Sequence, residues 1–449
     1  MPQGPLQGVS VVVAGAGLAG LSAARDLVAK GAAVTIVEAR DRVGGRVLTI
    51  RDGFAEGQHG EAGGDMIDHS QTEIRTLAGE LGLKLVRILR GGFGYARRDR
   101  TGRTRLVNSN AARGWERLAD SLDDLTRRYR LAEQRWDSPI ASDFARMSVA
   151  QWLDEVQADA DLRATAVGLR GFFLADPDEL SLIAFVDQFA DNDERPIEAM
   201  YRIDGGNDRI ATALASALGD RIRLNTELAA VSHRGREVRA TVRHGRDVSQ
   251  LICDYLVLTL PAPVLRRVPI TPALPAQQHE AIGRLRYGRA TKTLLQFSRR
   301  FWRSVGRPRA FGSDQPFGAV WEANEEQRGA HGILALLAGG SASDATQAIV
   351  AREGTAGLVK TLDWLGSADA TLVQARQVVW DTDPWARGGY AFFDPAFEPS
   401  LRLWLARPCG RLFFAGEHTS FKWQGYMNGA VESGRRAAAE VEATHRLQI

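Results

Sequence analysis

Glycines near both ends of this 449-residue chain stand where backbone could approach phosphate. Gly15, Gly17 and Gly20 form a GxGxxG run directly after Val9 to Ala14, a β-branched stretch that reads as a strand buried on both faces of a parallel sheet. A helical pattern follows from Leu21 to Lys30, Gly31 suits a helix stop, and "AAVTIVEAR" reads as a second strand ending in Glu38. The chemistry is that of dinucleotide binding. Gly15 permits the tight turn, Gly17 lets backbone approach a pyrophosphate, and Gly20 lets the helix pack closely on the sheet. The helix N-terminus adds unpaired N–H groups and partial positive charge. Glu38 would accept hydrogen bonds from ribose hydroxyls, and an acid there favours FAD or NAD over NADP.

The far end repeats this grammar. "FFAGEHTSFKWQGYMNGAVESGRRAA", Phe413 to Ala438, reads as a short strand, a loop of glycines and aromatics, and a helix beginning near Gly425. "EARDRVGGRV" places Ala39 and Arg40, then Gly44, Gly45 and Arg46, just beyond the second strand. An NAD dehydrogenase would normally continue there with a helix, whereas a second glycine pair with a basic residue offers a further phosphate or flavin contact. "GEAGGDMI" adds Gly63, Gly64, Asp65 and Met66, where backbone could approach a flat ring. Lys292 lies on an alternating strand with Ala290, Leu294 and Gln296 on its face, and by pattern alone reads as a solvated residue. No Ser/His/Asp or paired-carboxylate constellation is evident. Cys253 and Cys409 lack metal or redox spacing and read as structural thiols, and the eight histidines include no HxxxH, so no metal site is expected.

These stretches resemble the two-dinucleotide-binding-domain flavoproteins, in which such a turn and acid are followed by RxGGR. Joined by "YRIDGGNDRIATALASAL", "RIRLNTELAAVSHRGREVRATV", "CDYLVLTLPAPVLRRV" and "LRYGRATKTLLQFSRRFW", the resemblance spans nearly the whole chain. It narrows to the flavin amine oxidase family, which includes monoamine oxidases, polyamine oxidases, L-amino-acid oxidases and lysine-specific histone demethylases. The resemblance implies FAD, its AMP half and pyrophosphate on the N-terminal turn and its adenine near Leu228. Gly416 and Glu417 would meet the ribityl chain, with Gly425, Tyr426, Met427 and Ala430 at the flavin end. A hydride equivalent would pass from an amine α-carbon to flavin N5, with reoxidation by O2 to hydrogen peroxide and hydrolysis of the imine.

On the same resemblance, Lys292 would hold a water against N5 and Tyr426 would form one wall of an aromatic cage. Tyr390, in "RGGYAFFDP", stands where monoamine oxidases carry the cysteine that links FAD, so non-covalent FAD is expected. The second cage ring falls on Ala391, which opens space for a bulky or ring-bearing amine; Trp423, Phe392 and Trp321 are candidates to compensate, Trp423 being grouped with Tyr390, Ala391 and Tyr426 as substrate pocket. An L-amino-acid oxidase is the alternative. It needs a cation for the substrate carboxylate, yet Met66 stands at the expected arginine, flanked by Asp65 and Asp68, which would repel a carboxylate if they face the pocket.

Holding two turns on one cofactor requires an α/β fold with a discontinuous, Rossmann-like FAD domain, about 1–85, 202–265 and 384–449. A mixed α+β substrate lobe is expected from 86–201 and 266–383. Residues 109–200 are mostly helical in pattern; "SVAQWLDEV" starts like a capped helix, and Pro177 opens another with Asp176 as N-cap. "GGFGYARRDRTGRTRLV" reads as two strands around a turn, and "AVWEANEEQRGAHGILALLAGG" as strand, polar loop, strand. A net charge of +3 without a basic run disfavours nucleic acid. No apolar run approaches the ~18 residues of a membrane helix, and "MPQGPLQG" lacks the regions of a signal peptide. The expectation is a cytoplasmic enzyme acting on a small-molecule amine and O2, with a homodimer left open.

Overall fold

The computed structural model of the protein describes residues 4–106, 111–190, 199–304, 307–366 and 370–448. Of the stretch read as helical, residues 109–110 and 191–198 lie outside the described residues.

A parallel sheet runs in the order Ile222–Arg223, Ala33–Val37, Ser10–Ala14, Tyr255–Leu258, Leu412–Phe414. Its side chains alternate between two cores, as a strand's period of two requires. Val11, Val13, Val257 and Phe413 pack on one face with Leu21 and Val431, from the helices Leu18–Ala29 and Met427–Arg446. Val12, Ala14, Leu256 and Phe414 pack on the other with Val231, Val238 and Ala240, from the antiparallel strands Thr226–Arg234 and Glu237–His244. Both faces are covered, which is why these strands read as unbroken apolar runs. The fold is α/β, and neighbouring strands of one sheet come from the beginning, middle and end of the chain.

A second, seven-stranded sheet runs Leu372–Val379, Ala290–Phe297, Gly332–Gly339, Ala319–Glu322, Ala310–Ser313, Phe93–Arg98, Thr104–Leu106. Both hairpins expected from sequence are in it, at Phe93–Arg98 with Thr104–Leu106 and at Ala319–Glu322 with Gly332–Gly339. Lys292 faces Leu337 on one neighbour strand and Val378 on the other. All of Ala290–Phe297 is buried, because Leu295 packs into one core and Leu294 into another. The alternation that suggested a solvated lysine is therefore misleading: the strand has no wet face.

Helices Ala111–Leu131, Pro139–Ala145, Val149–Glu155, Ala160–Gly168 and Leu182–Ala190 form the remaining wall. Val149–Glu155 is capped at its start as its sequence suggested, and the cap is a reciprocal capping box of Ser148 with Gln151. The helix expected at Pro177 is absent; that residue lies in a turn and the helix starts at Leu182. Asp176 is spent elsewhere. Its carboxylate accepts from Ser341 N at 2.7 Å and Ser341 Oγ at 3.0 Å, capping Ser341–Glu353, and pairs with Arg170 at 3.3 Å. No helix among the described residues is long and apolar enough to cross a membrane.

The two helices on the parallel sheet touch at Gly434, where a Cβ would overlap the Ala19 carbonyl oxygen. Gly434→Ala is expected to lower stability by about 1–3 kcal/mol, the cost of forcing a methyl into a filled core. Urea unfolding of the variant beside the parent protein checks this.

Candidate active site

Both glycine turns open on one cavity of about 1160 Å³. At the N-terminal turn Gly15 adopts φ +106°, a conformation that glycine tolerates, and donates its N–H to Val37 O at 2.8 Å. The Glu38 carboxylate accepts from Ala16 N at 2.7 Å and Arg40 N at 2.9 Å. Burial raises its pKa despite those two donors. Ala39, Arg40, Gly44, Gly45 and Leu228 join it in the cavity wall. Gly44 N donates to Ala16 O at 2.8 Å, so the second glycine pair is folded onto the first turn. Gly20 is not in the wall; its missing Cβ makes room for the Gly15 carbonyl, the packing role its place in the motif implied.

Helix Leu18–Ala29 starts at Gly17 with no side-chain cap and no acid in its first turn. Helix Met427–Arg446 starts at Tyr426 in the same bare state. An uncapped N-terminus carries unpaired N–H donors and partial positive charge. Two such ends on one cavity fit a long ligand that is electron-rich in two places, as FAD is at its pyrophosphate and its flavin ring. The set of residues lining the cavity fits that group.

The two turns are tied together by an ion pair. Arg46 Nη1 donates to Glu417 Oε1 at 2.9 Å and to Gly389 O at 2.5 Å, and its guanidinium lies 5.4 Å from the Tyr287 ring centroid. Glu417 also accepts from Gly425 N at 2.8 Å and Ala391 N at 3.4 Å. Burial would raise the Glu417 pKa, but Arg46 and these donors hold it below the usual carboxylate value. Glu417 was expected beside a ribityl chain; it lines the cavity but commits both oxygens to the protein itself. The close approaches permitted by Gly63 and Gly64 are likewise internal, to Arg46 O and to the Met427 side chain.

Lys292 is 3% exposed, in the cavity wall. Its Nζ donates to Asp65 Oδ2 at 2.8 Å and Gly63 O at 3.1 Å and lies 4.9 Å from the Trp321 ring centroid. Asp65 also accepts from Trp321 Nε1 at 3.0 Å and from Arg202 Nε. Burial would raise Asp65, but Arg202 and Lys292 hold it low. The expected repulsion of a carboxylate by Asp65 is therefore wrong: its charge is balanced by two cations. Trp321 is likewise a partner of Lys292 and Asp65 and not a spare cage ring. Asp68 remains in the wall, accepting from Ser70 N at 2.8 Å and Ser70 Oγ at 2.5 Å.

The aromatic end of the cavity is fastened to the helical wall. Tyr426 Oη donates to Gln188 Oε1 at 2.9 Å, and Tyr390 Oη donates to the carbonyls of Gly171, at 3.1 Å, and Phe172. Burial pushes Tyr426 up to about 12, so its hydroxyl stays protonated and keeps this donated bond well above neutral pH. Trp423 stands edge-on to Tyr426, ring centroids 5.9 Å apart. Ala391 is held through its backbone, with Gln424 Nε2 donating to its carbonyl at 3.0 Å. Met66, Ala430 and Phe392 are also in the wall.

Sequence reasoning missed Gln188, Phe172, Phe173, Gln71 and Arg402, all in the wall. Gln71 begins the helix Thr72–Glu80, is 1% exposed, and has a buried Oε1 with no hydrogen-bond partner. Only Gln71 carried a legible signal, as a polar residue directly before a helical pattern; the helix of Gln188 reports burial and not what the burial faces, and Phe172, Phe173 and Arg402 sit on helical turns too short to show a period.

Residues 18–442 match the sequence pattern of the flavin containing amine oxidoreductases. Flavin-containing amine oxidase A of Sus scrofa is 26% identical, with 96% of this chain and 85% of that one covered. Cyclohexylamine oxidase from Brevibacterium oxydans IH-35A superposes with a TM-score of 0.84 at 25% identity, over 98% of this chain and 100% of that one. Putrescine oxidase bound to putrescine gives 0.83 at 25% identity, over 97% and 99%. The chain belongs to the flavin containing amine oxidoreductase family, and its activity is flavin-dependent amine oxidation.

Glu417→Gln is expected to cost about 3 kcal/mol, because it leaves Arg46 partly buried without its anion. The folded pKa of Glu417 lies below its ordinary value of 4.5, so the contribution is complete above that value and is lost as pH falls through the folded pKa. Denaturation midpoints measured from pH 7 downward should converge for parent and variant under acid conditions.

Proposed function

We propose that this member of the flavin containing amine oxidoreductases oxidises a primary or secondary amine of aralkyl or cyclic type, using non-covalently held FAD and O2. The observation that carries the reading is the pair of bare helix N-termini and the buried Lys292 on one cavity. Bound there, FAD would supply the oxidising power for hydride loss from the amine α-carbon, with O2 as the final electron acceptor, reduced to hydrogen peroxide, and an imine left for water to hydrolyse.

The chain's own contribution is placement and charge. The Gly15 to Gly20 turn and the Leu18 helix end receive the pyrophosphate, and Glu38 receives ribose hydroxyls. The Met427 helix end places partial positive charge where a bound ring gains electron density. Tyr426 is one cage wall. The Phe172 and Phe173 side of the cavity disfavours an ammonium and so favours the neutral, reactive amine. Two of the three Lys292 N–H donors are taken by Asp65 and Gly63, which leaves one for a water. Residues 1–85, 202–265 and 384–449 then act as the FAD domain, and 86–201 and 266–383 as the substrate lobe. Two free cysteines, Cys253 and Cys409, suit the reducing cytoplasm.

A peroxide assay across amines and amino acids tests the reading. Phenethylamine is expected to exceed phenylalanine by at least about tenfold in kcat/KM, roughly 1.4 kcal/mol in transition-state stabilisation; equal turnover would reverse the substrate assignment. Acid precipitation should leave a colourless pellet, since Tyr390 offers no thiol for a flavin link. Lys292→Met should keep FAD and near-parental flavin reduction while slowing reoxidation by O2 about tenfold or more in stopped flow.

A further inference from the structure

We propose that Asp65 is a positioning residue for Lys292: its carboxylate, clamped by Arg202 and Trp321, fixes both the place and the charge of the ammonium in the cavity wall. The inference rests on the proposed role of Lys292 in the oxygen half-reaction. Nothing about a lysine on a central strand dictates where its long side chain ends; four rotatable bonds leave Nζ free to search. Here the search is closed by a carboxylate that cannot move. Asp65 Oδ1 is held by Arg202 Nε, and Oδ2 is shared by Lys292 Nζ at 2.8 Å and Trp321 Nε1 at 3.0 Å. Arg202 is itself anchored through Nη1 to Ala323 O at 2.6 Å and Glu326 at 3.2 Å. Both members of the Lys292–Asp65 pair are under a tenth exposed.

The same geometry governs protonation. Burial lowers the pKa of Lys292, Asp65 opposes that, Glu61 adds a weaker opposing contribution, and Arg202, a like charge on the same carboxylate, lowers it further. Glu61 is pushed up to about 8 by burial and by Asp65, so below that pH it is mainly neutral and Asp65 is the anion that keeps Lys292 protonated. A lysine with a lowered folded pKa keeps its ammonium below that pKa and loses it as pH rises through it. Removing Asp65 moves the loss to lower pH.

The test is the pH dependence of two readouts on the FAD-loaded full chain: reoxidation of dithionite-reduced enzyme by O2, and the absorption spectrum of the resting oxidised flavin, which reports charge beside the ring without turnover. Both should titrate together in the parent and neither in Lys292→Met. In Asp65→Asn, with Glu61→Gln added to remove the compensating acid, the shared midpoint should fall by at least one pH unit, so reoxidation slows about tenfold relative to the parent at pH above both midpoints while the low-pH plateau stays within threefold. Asp65→Glu keeps the charge and the Arg202 partner, so it should fold readily; its midpoint should stay while its plateau drops at least threefold through misplacement. Unmoved midpoints in the neutral variants, or a parental plateau in Asp65→Glu, would overturn the proposal. If Lys292→Met itself leaves reoxidation and spectrum unchanged, the underlying role of Lys292 fails first, and Asp65 has nothing to position.

Discussion

The architecture turns on the bond between Arg46 and Glu417, which joins the first glycine-rich segment to the last. A parallel sheet can bring distant strands together, but it positions only their ends; the loops beyond must still be fixed against each other. Glu417 does this with one carboxylate, holding Arg46, the Gly425 amide at the base of the second turn, and the Ala391 amide of the neighbouring segment. A buried carboxylate is costly unless paired and hydrogen-bonded, and here every partner is also a structural element that must be placed. The desolvation cost thereby becomes a reason for the loops to have one arrangement. His418, the next residue, is kept neutral by burial that pushes it down to about 4, so Arg46 is the cation that Glu417 pairs with.

A second set of buried charges at the cavity wall repeats the logic. Lys292 and Arg202 face Asp65, and Arg202 also faces Glu326. The set is close to neutral while Glu61 stays protonated, which lets ionised groups line a largely apolar chamber. It also means that chemistry-bearing side chains are held by other polar groups and not by packing alone. The same holds for the tyrosines: Tyr390 and Tyr426 each spend the hydroxyl on the helical wall, leaving ring faces as the part available to a substrate.

The cofactor-binding half was legible because phosphate recognition by backbone forces glycine at fixed offsets, and a double-faced strand forces an unbroken apolar run. Gly15, Gly17, Gly20 and Glu38 announce themselves for those reasons. Asp65 and Lys292 do not. Lys292 is a charged residue that local pattern assigns to solvent, nothing local marks Asp65 as its partner, and only their meeting across 227 positions makes both burials tolerable. Asp176 failed in the opposite direction: its local signal as an N-cap was sound, but the helix it caps belongs to another part of the chain. Short-range rules see the chemistry of a residue and miss a partner supplied by topology.

The helical wall was the least readable part, and it is where the choice between amine and amino acid is lodged. The cavity does contain a cation away from the cofactor turns, Arg402, so a lack of positive charge cannot explain a preference for amines. Arg402 is 4% exposed and lies 3.9 Å from the Trp136 ring centroid, with Phe393 and Phe421 also against it. Its guanidinium donates to Phe421 O and stands 3.6 Å from Asp187, which in turn accepts from Tyr129. A substrate carboxylate would have to displace Asp187 and strand it beside the incoming anion, a cost of several kcal/mol by the logic of breaking buried pairs. A neutral amine with an aromatic or alicyclic body asks for no such exchange and meets rings already in place. On the proposed reading, the Arg402–Asp187 pair disfavours a substrate carboxylate because this cation is already committed, and not because anions are placed to repel.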